Sequence, residues 1–400
     1  MKLIFTVLLG LVLSNAVISI NIKEYQEAIT KFALNVTFVR EFEEHMTRIL
    51  EIDPSYLNYN PYNSFLNKFN CPIIPPSENV KSVHELKISD IKAVAALGDS
   101  LTAAMGADAK TVLGLLFEYR GESWSAGGDK SLDELVTMPN IARKYNSNIV
   151  GFSTGKDFIL SPFEKPIEHL NVAVSGQEAN HIPEQARQLV KRLKESKDID
   201  YQNDWKLVTL FIGGNDICDY CKDKSLHSPQ AYIDFVQEGL DILFNELPKT
   251  FVNLVTVLRV TEVEVLNEGL ICKLLHKFEC PCAAFPENDE EKKELEKVFN
   301  EYVANTHALI NSNRYERDDF TVVIQPFMED MQIPRTNKGK ADLSYFAPDC
   351  FHFSRKGHTQ SSIALWNNMF TAVGSKKTSW DMNSQITCPS GPLCTRKNNC

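Results

Sequence analysis

The chain has 400 residues, of which 43% are hydrophobic and 24% charged, and its formal net charge is −10. These are the proportions of a globular protein long enough for one large domain or two ordinary ones. The acidic balance excludes the basic patches of a nucleic-acid binder and a polybasic cluster for docking on anionic lipid.

The first residues, MKLIFTVLLGLVLSNAVISI, place one Lys before an apolar run that ends at Ser14-Asn15-Ala16. This is the pattern of a secretory signal peptide cleaved near Ala16, and the run is short for a membrane span. No later stretch is apolar enough to span, so the mature chain is expected to be secreted, without a transmembrane segment. Asn35-Val36-Thr37 is a glycosylation sequon in an exported chain. Residues 24–50 carry Ile29, Phe32, Val36, Val39, Met46 and Ile49 at helical spacing, with charges between them. Five prolines between positions 54 and 76 then mark a turn-rich segment that runs to about residue 90.

From residue 91 the pattern changes. Short apolar runs at 91–97, 170–174, 206–212, 251–258 and 320–324 read as buried strands, with helical patterns between several of them. This alternation predicts a parallel sheet covered by helices on both faces. The expected organisation is a leader over 1–16, a helical and Pro-rich extension over 17–90, an α/β domain over 91–374 and a Cys-containing tail over 375–400. The ten cysteines suit an oxidising compartment. Cys218-x-x-Cys221 with Cys280-Pro-Cys282 has zinc-like spacing, but disulfides are the better account in an exported chain, with connectivity open.

In such a sheet, function collects beyond the carboxyl ends of the strands. There the sequence places Gly98-Asp99-Ser100, then Ser175-Gly176, then Gly213-Gly214-Asn215-Asp216. Each has a bland reading: Ser100 as part of a helix start, Gly176 as a turn glycine, Asn215 as an Asx-turn or N-cap. Asp349-Cys350-Phe351-His352 taken alone is a common surface pair. Together they supply a serine nucleophile, a base, a carboxylate to orient the base, and donors for an oxyanion. Asp and His three residues apart can meet within one turn of chain, leaving Nε2 to face a serine.

These blocks, in this order, resemble the SGNH or GDSL-type hydrolase superfamily. The strings SVHELKISDIKAVAALGDSLTA, YRGESWSAGGD, DWKLVTLFIGGNDICDYC, DDFTVVIQPFMED and DLSYFAPDCFHFSRKGHTQSSIALWNNM look like its phospholipase B1 branch, over residues from about 71 to 374. The resemblance implies an α/β fold, a three-layer α/β/α sandwich around a five-stranded parallel sheet in flavodoxin-like order. It implies Ser100 as nucleophile, His352 as base, Asp349 as its orienting group, and the Ser100, Gly176 and Asn215 donors as the oxyanion hole, with no metal or cofactor. The implied substrates are phospholipids and lysophospholipids, met in transient contact with a lipid surface. Within YRGESWSAGGD, Trp124 is a candidate acyl-pocket wall and Gly128 a point of close backbone approach, with a buried structural loop as the other reading. Alternatives on the same fold are a short-chain or carbohydrate esterase and a silent lipid-binding protein.

Overall fold

The computed structural model describes residues 69–159 and 167–400. The leader, the Asn35 sequon and the 24–50 helix lie outside the described residues. Strand β1 (Ile91–Gly98) is buried along almost its whole length. A strand covered on both faces needs a continuous apolar run, which IKAVAALG supplies. It leads into the short helix α1 (Ser100–Ala103), N-capped by the Asp99 side chain, which accepts from the Leu101 amide. Next come a small antiparallel pair, β2 (Phe117–Glu118) with β3 (Asp157–Phe158), and helix α2 (Met138–Ala142). Then follow α3 (Ile182–Glu195), β4 (Trp205–Phe211), α4 (Gly214–Asp219), α5 (Pro229–Glu246) and β5 (Thr250–Val255). The chain continues through α6 (Gly269–Glu279), α7 (Pro281–Ala284), α8 (Asp289–Asn311), β6 (Glu316–Arg317), β7 (Phe320–Gln325) and α9 (Arg355–Met369).

The main sheet has the order β1-β4-β5-β7-β6. β1, β4, β5 and β7 are parallel, and only the two-residue β6 runs antiparallel, at the edge. Helices α3, α5 and α8 lie side by side, as right-handed crossovers in one direction require. On the other face, Asn253 of β5 reaches Met369 of α9 at 3.3 Å. The architecture is α/β, with helices on both faces of the sheet.

One expected strand needs correction. Residues 170–174 run beside β1 and bond to it in parallel sense through Ala96 and Gly98, but they form only an isolated bridge. The reason is Gln185 of α3. Its side chain accepts from the Gly98 amide and donates to the Gly98 carbonyl, both at 2.8 Å, and so takes the N–H that would continue the ladder. On the far side, the Asn171 and Ala173 carbonyls accept from the Arg120 guanidinium instead of from a further strand. The sheet therefore has four parallel strands and a short antiparallel edge, not five parallel ones. The spatial order of the five predicted runs is nonetheless 2-1-3-4-5, the flavodoxin-like order.

The ten cysteines pair as Cys71–Cys388, Cys218–Cys280, Cys221–Cys282, Cys272–Cys350 and Cys394–Cys400. The four with zinc-like spacing are thus joined to one another. Such pairing belongs to a non-cytosolic compartment. The segment after α9 is also stitched back on the fold, with Leu393 donating to the Leu86 carbonyl and Cys394 to that of Met369. Among the described residues no helix is long and apolar enough to cross a membrane.

Candidate active site

The site is built at the carboxyl end of β1. Gly98 sits where a Cβ would lie 2.4 Å from the Phe211 carbonyl of the neighbouring strand, so only glycine lets β1 and β4 stay paired up to the turn. A four-residue helix such as α1 cannot satisfy its own carbonyls. Outside groups do so here. Trp124 Nε1 donates to the Leu101 carbonyl, and Ser123 Oγ and Asn171 Nδ2 both donate to that of Thr102. Ser100 is buried at the head of this braced turn.

Its hydroxyl lies 2.8 Å from His352 Nε2, and His352 Nδ1 lies 2.7 Å from Asp349 Oδ2. The other Asp349 oxygen accepts from the amides of Phe351 and His352, at 2.9 and 3.0 Å. One carboxylate thus shapes the loop and orients the ring. Burial opposes the Asp349 charge, but His352 and the two amides outweigh it and hold the carboxyl below its ordinary range. Within this loop Cys350 adopts a left-handed φ of 62°, a conformation that costs a non-glycine residue about 1–2 kcal/mol. Its bridge to Cys272 of α6 and a 3.2 Å contact from His276 Nε2 to its carbonyl hold it there.

Two further turns face the serine. Gly176 has a φ of 77°, which favours glycine. Asn215 heads α4, and its Nδ2 donates one hydrogen to the Gln177 carbonyl at 2.8 Å. An amide nitrogen carries two hydrogens, so this bond fixes the amide plane and leaves the second for a ligand. Among the described residues, neither the Ser100 nor the Gly176 amide has an acceptor. Asn215→Ala is expected to lower ester turnover by a factor on the order of 10²–10³ with the unfolding midpoint nearly unchanged. Steady-state rates and thermal melts check it.

Asp99, Ser100 and Asn215 form the polar end of a pocket whose other walls include Leu258, Val263, Leu266, Met331, Phe346 and Phe351. Burial pushes the Asp99 carboxyl up to about 6, against the bond it accepts from Leu101. An apolar slot ending at a nucleophile suits a hydrocarbon chain attached to a reacting carbonyl.

The two weaker candidates lie elsewhere. Trp124 is fully buried beneath α1, in edge contact with Phe211 and Phe327, and is a core residue under the Ser100 turn rather than a wall of the pocket. At Gly128 a Cβ would lie 2.0 Å from the Phe152 ring. The missing side chain makes room for that ring, not for a ligand. Asp129 accepts from the Gly155 amide, away from the serine. Phe158 of β3 is buried against Phe117 of β2.

Two other histidines are engaged elsewhere. His358 accepts from the Trp124 amide through Nδ1, and burial drives its pKa down to about 3. His307 pairs with Glu329 at 2.6 Å. Among the described residues one acid and histidine group has metal-like proximity, Glu279 with Asp349 and His352. His352 already spends both nitrogens on Asp349 and Ser100. Burial and the Asp349 charge push the Glu279 carboxyl well above its ordinary range. That set makes a poor cation site.

Sequence reasoning missed the residues that hold this geometry. Arg120 is buried against Glu118 and Glu168. Glu118 in turn accepts from the Ser175 hydroxyl at 2.5 Å, next to Gly176. Glu122 pairs with Arg355, at the start of α9 just beyond His352. The signal lay in YRGESW itself, a dense run of charged and aromatic residues in a loop.

A family model described as GDSL-like Lipase/Acylhydrolase matches residues 94–364. A human protein named "Phospholipase B1, membrane-associated" is 45% identical over 334 residues, which is 80% of this chain and 22% of the human protein. Mouse and rat proteins of the same name are each 42% identical over 83% of this chain, covering 23% and 24% of their own lengths. The chain thus spans less than a quarter of the length of these relatives.

Proposed function

This chain belongs to the GDSL-like lipase/acylhydrolase family, and from that premise we propose that it is an exported serine hydrolase releasing fatty acids from phospholipids and lysophospholipids. The observation that carries the reading is the unbroken hydrogen-bonded relay from Asp349 through His352 to Ser100. His352 Nε2 takes the Ser100 proton as Oγ attacks the ester carbonyl. The oxyanion is held by the Ser100 and Gly176 amides and the free hydrogen of Asn215 Nδ2. The same Nε2 then protonates the departing glycerol oxygen, leaving an acyl ester on Ser100. Water, deprotonated by His352, attacks that ester, and Ser100 leaves with the proton. The apolar pocket beside Ser100 takes the acyl chain.

The phospholipid assignment is supported by the named relatives, which are phospholipases B1. Export with cleavage near Ala16 is supported by the leader pattern and by the disulfides. The hydrolase unit spans 91–374, with 375–400 as a tail clamped to it.

The test follows acid release from phosphatidylcholine, lysophosphatidylcholine and p-nitrophenyl acetate, with Ser100→Ala as the blank. Fatty acid from both lipids above the blank is the expected result. Acetate release alone overturns the phospholipase assignment in favour of a short-chain esterase. Inertness on all three, in a folded protein, returns Ser100 to a helix-start residue and leaves a lipid-binding protein.

A further inference from the structure

Behind the two turns that carry Gly176 and Asn215 lies a charged cluster that the relay does not use. The turns are tied by two links. Asn215 Nδ2 donates to the Gln177 carbonyl, and the Ala179 amide donates to both Asp216 oxygens, at 3.2 and 3.1 Å. A third group reaches the first of these turns from the segment that follows α4. His227 is 3% exposed, and its Nε2 stands 3.2 Å from Glu178 Oε1, in ion-pair range but off the line of a good hydrogen bond. Nothing in ester chemistry requires a buried histidine there.

We propose that His227 is a positioning residue for the oxyanion donors: from the segment that follows α4, its imidazolium holds Glu178 of the 176–179 turn, and the hole slackens when that proton leaves. This rests on the serine-hydrolase reading of the site. Burial opposes the His227 charge, yet the carboxylates of Glu178, Asp216 and Asp219 outweigh it and hold the imidazole above its ordinary pKa. Asp216, pushed up to about 7 by burial, adds a second negative charge as the pH rises. His181 and Lys222 face Glu178, and Asp223 also feels the imidazole. Tyr302 of α8 fixes the backbone by donating to the His227 carbonyl at 2.7 Å, and it stacks on Tyr232 of α5. A group with a raised pKa keeps its charge to higher pH and loses it on the alkaline side. A plain serine relay keeps its rate once the base is free. This one should fall again in alkali, through a residue that never touches substrate.

The probe is a fluorophosphonate, whose attachment to Ser100 uses the relay and the oxyanion hole without depending on lipid preference. Its second-order labelling rate is followed from about pH 6 to about pH 10 in the unmodified protein, His227→Gln and Glu178→Gln, with thermal melts alongside. The unmodified rate should rise and then fall through one ionisation. His227→Gln should lose the falling limb and stay about 10-fold below the maximum, a fraction of what losing a donor outright costs. Glu178→Gln should move the falling limb to lower pH, because a carboxylate that favours the imidazolium is gone; it decides the matter if His227→Gln does not fold. No falling limb in the unmodified protein, or a limb unmoved by both variants, overturns the inference and leaves the hydrolase reading standing. No labelling at any pH overturns both.

Discussion

Asp349→Asn lowers ester turnover by a factor on the order of 10⁴ while the protein stays folded. The loop geometry leaves the amide no escape. One Asp349 oxygen accepts from two backbone amides, so an asparagine must keep its carbonyl oxygen there or strand both donors. Its NH₂ group then faces His352 Nδ1, where the carboxylate oxygen now stands. The ring must accept at Nδ1 and carry its hydrogen on Nε2, which points at Ser100. A protonated Nε2 cannot take the serine proton. Turnover and fluorophosphonate labelling should fall together, with near-ultraviolet circular dichroism unchanged. Activity within 10-fold of the unmodified protein would mean that Asp349 does not set the tautomer.

Arg120→Met should cost about 3–5 kcal/mol of folding stability, the range for removing one partner of a buried ion pair. Arg120 is 2% exposed and holds Glu118 at 2.7 Å, Glu168 at 3.7 Å and two backbone carbonyls. Without it Glu118 is left as a buried carboxylate with no cation, and only Arg192 remains on Glu168. A loss of that size is a large share of the 5–15 kcal/mol typical of a domain. Denaturant midpoints measure it. Adding Glu118→Gln to Arg120→Met should recover part of the loss, since the stranded charge is then gone. A single variant within about 1 kcal/mol of the original would show that water replaces the guanidinium.

The parts of this molecule written as local pattern were legible in its sequence. β1, β4, β5 and β7 are buried on both faces, so their apolar runs stand out. The turns at Ser100, Gly176 and Asn215 follow their runs, and Asp349 and His352 are three residues apart; in the fold Asp349, His352 and Ser100 form one hydrogen-bonded line, Asn215 shares a pocket with Ser100, and Gly176 precedes the Gln177 carbonyl to which Asn215 donates. Pairings across the chain were not legible. Nothing local says that Gln185 closes the sheet at Gly98, that Trp124 lies under Leu101, or that Arg120 caps residues 171 and 173. Buried polar residues are matched by three-dimensional neighbours, and a single sequence does not carry those neighbours. For the same reason a conspicuous Trp-Ser-Ala-Gly-Gly string reads as a ligand loop when it is a brace.

Ser100 and His352, the proposed nucleophile and base, stand 252 residues apart in the chain. A ribosome delivers the Ser100 turn well before Asp349 and His352. Until that later stretch has emerged, docked and closed its bridge to Cys272, the growing polypeptide holds Ser100 without the histidine it is bonded to in the folded chain. Order of synthesis keeps the relay open until that long-range contact forms.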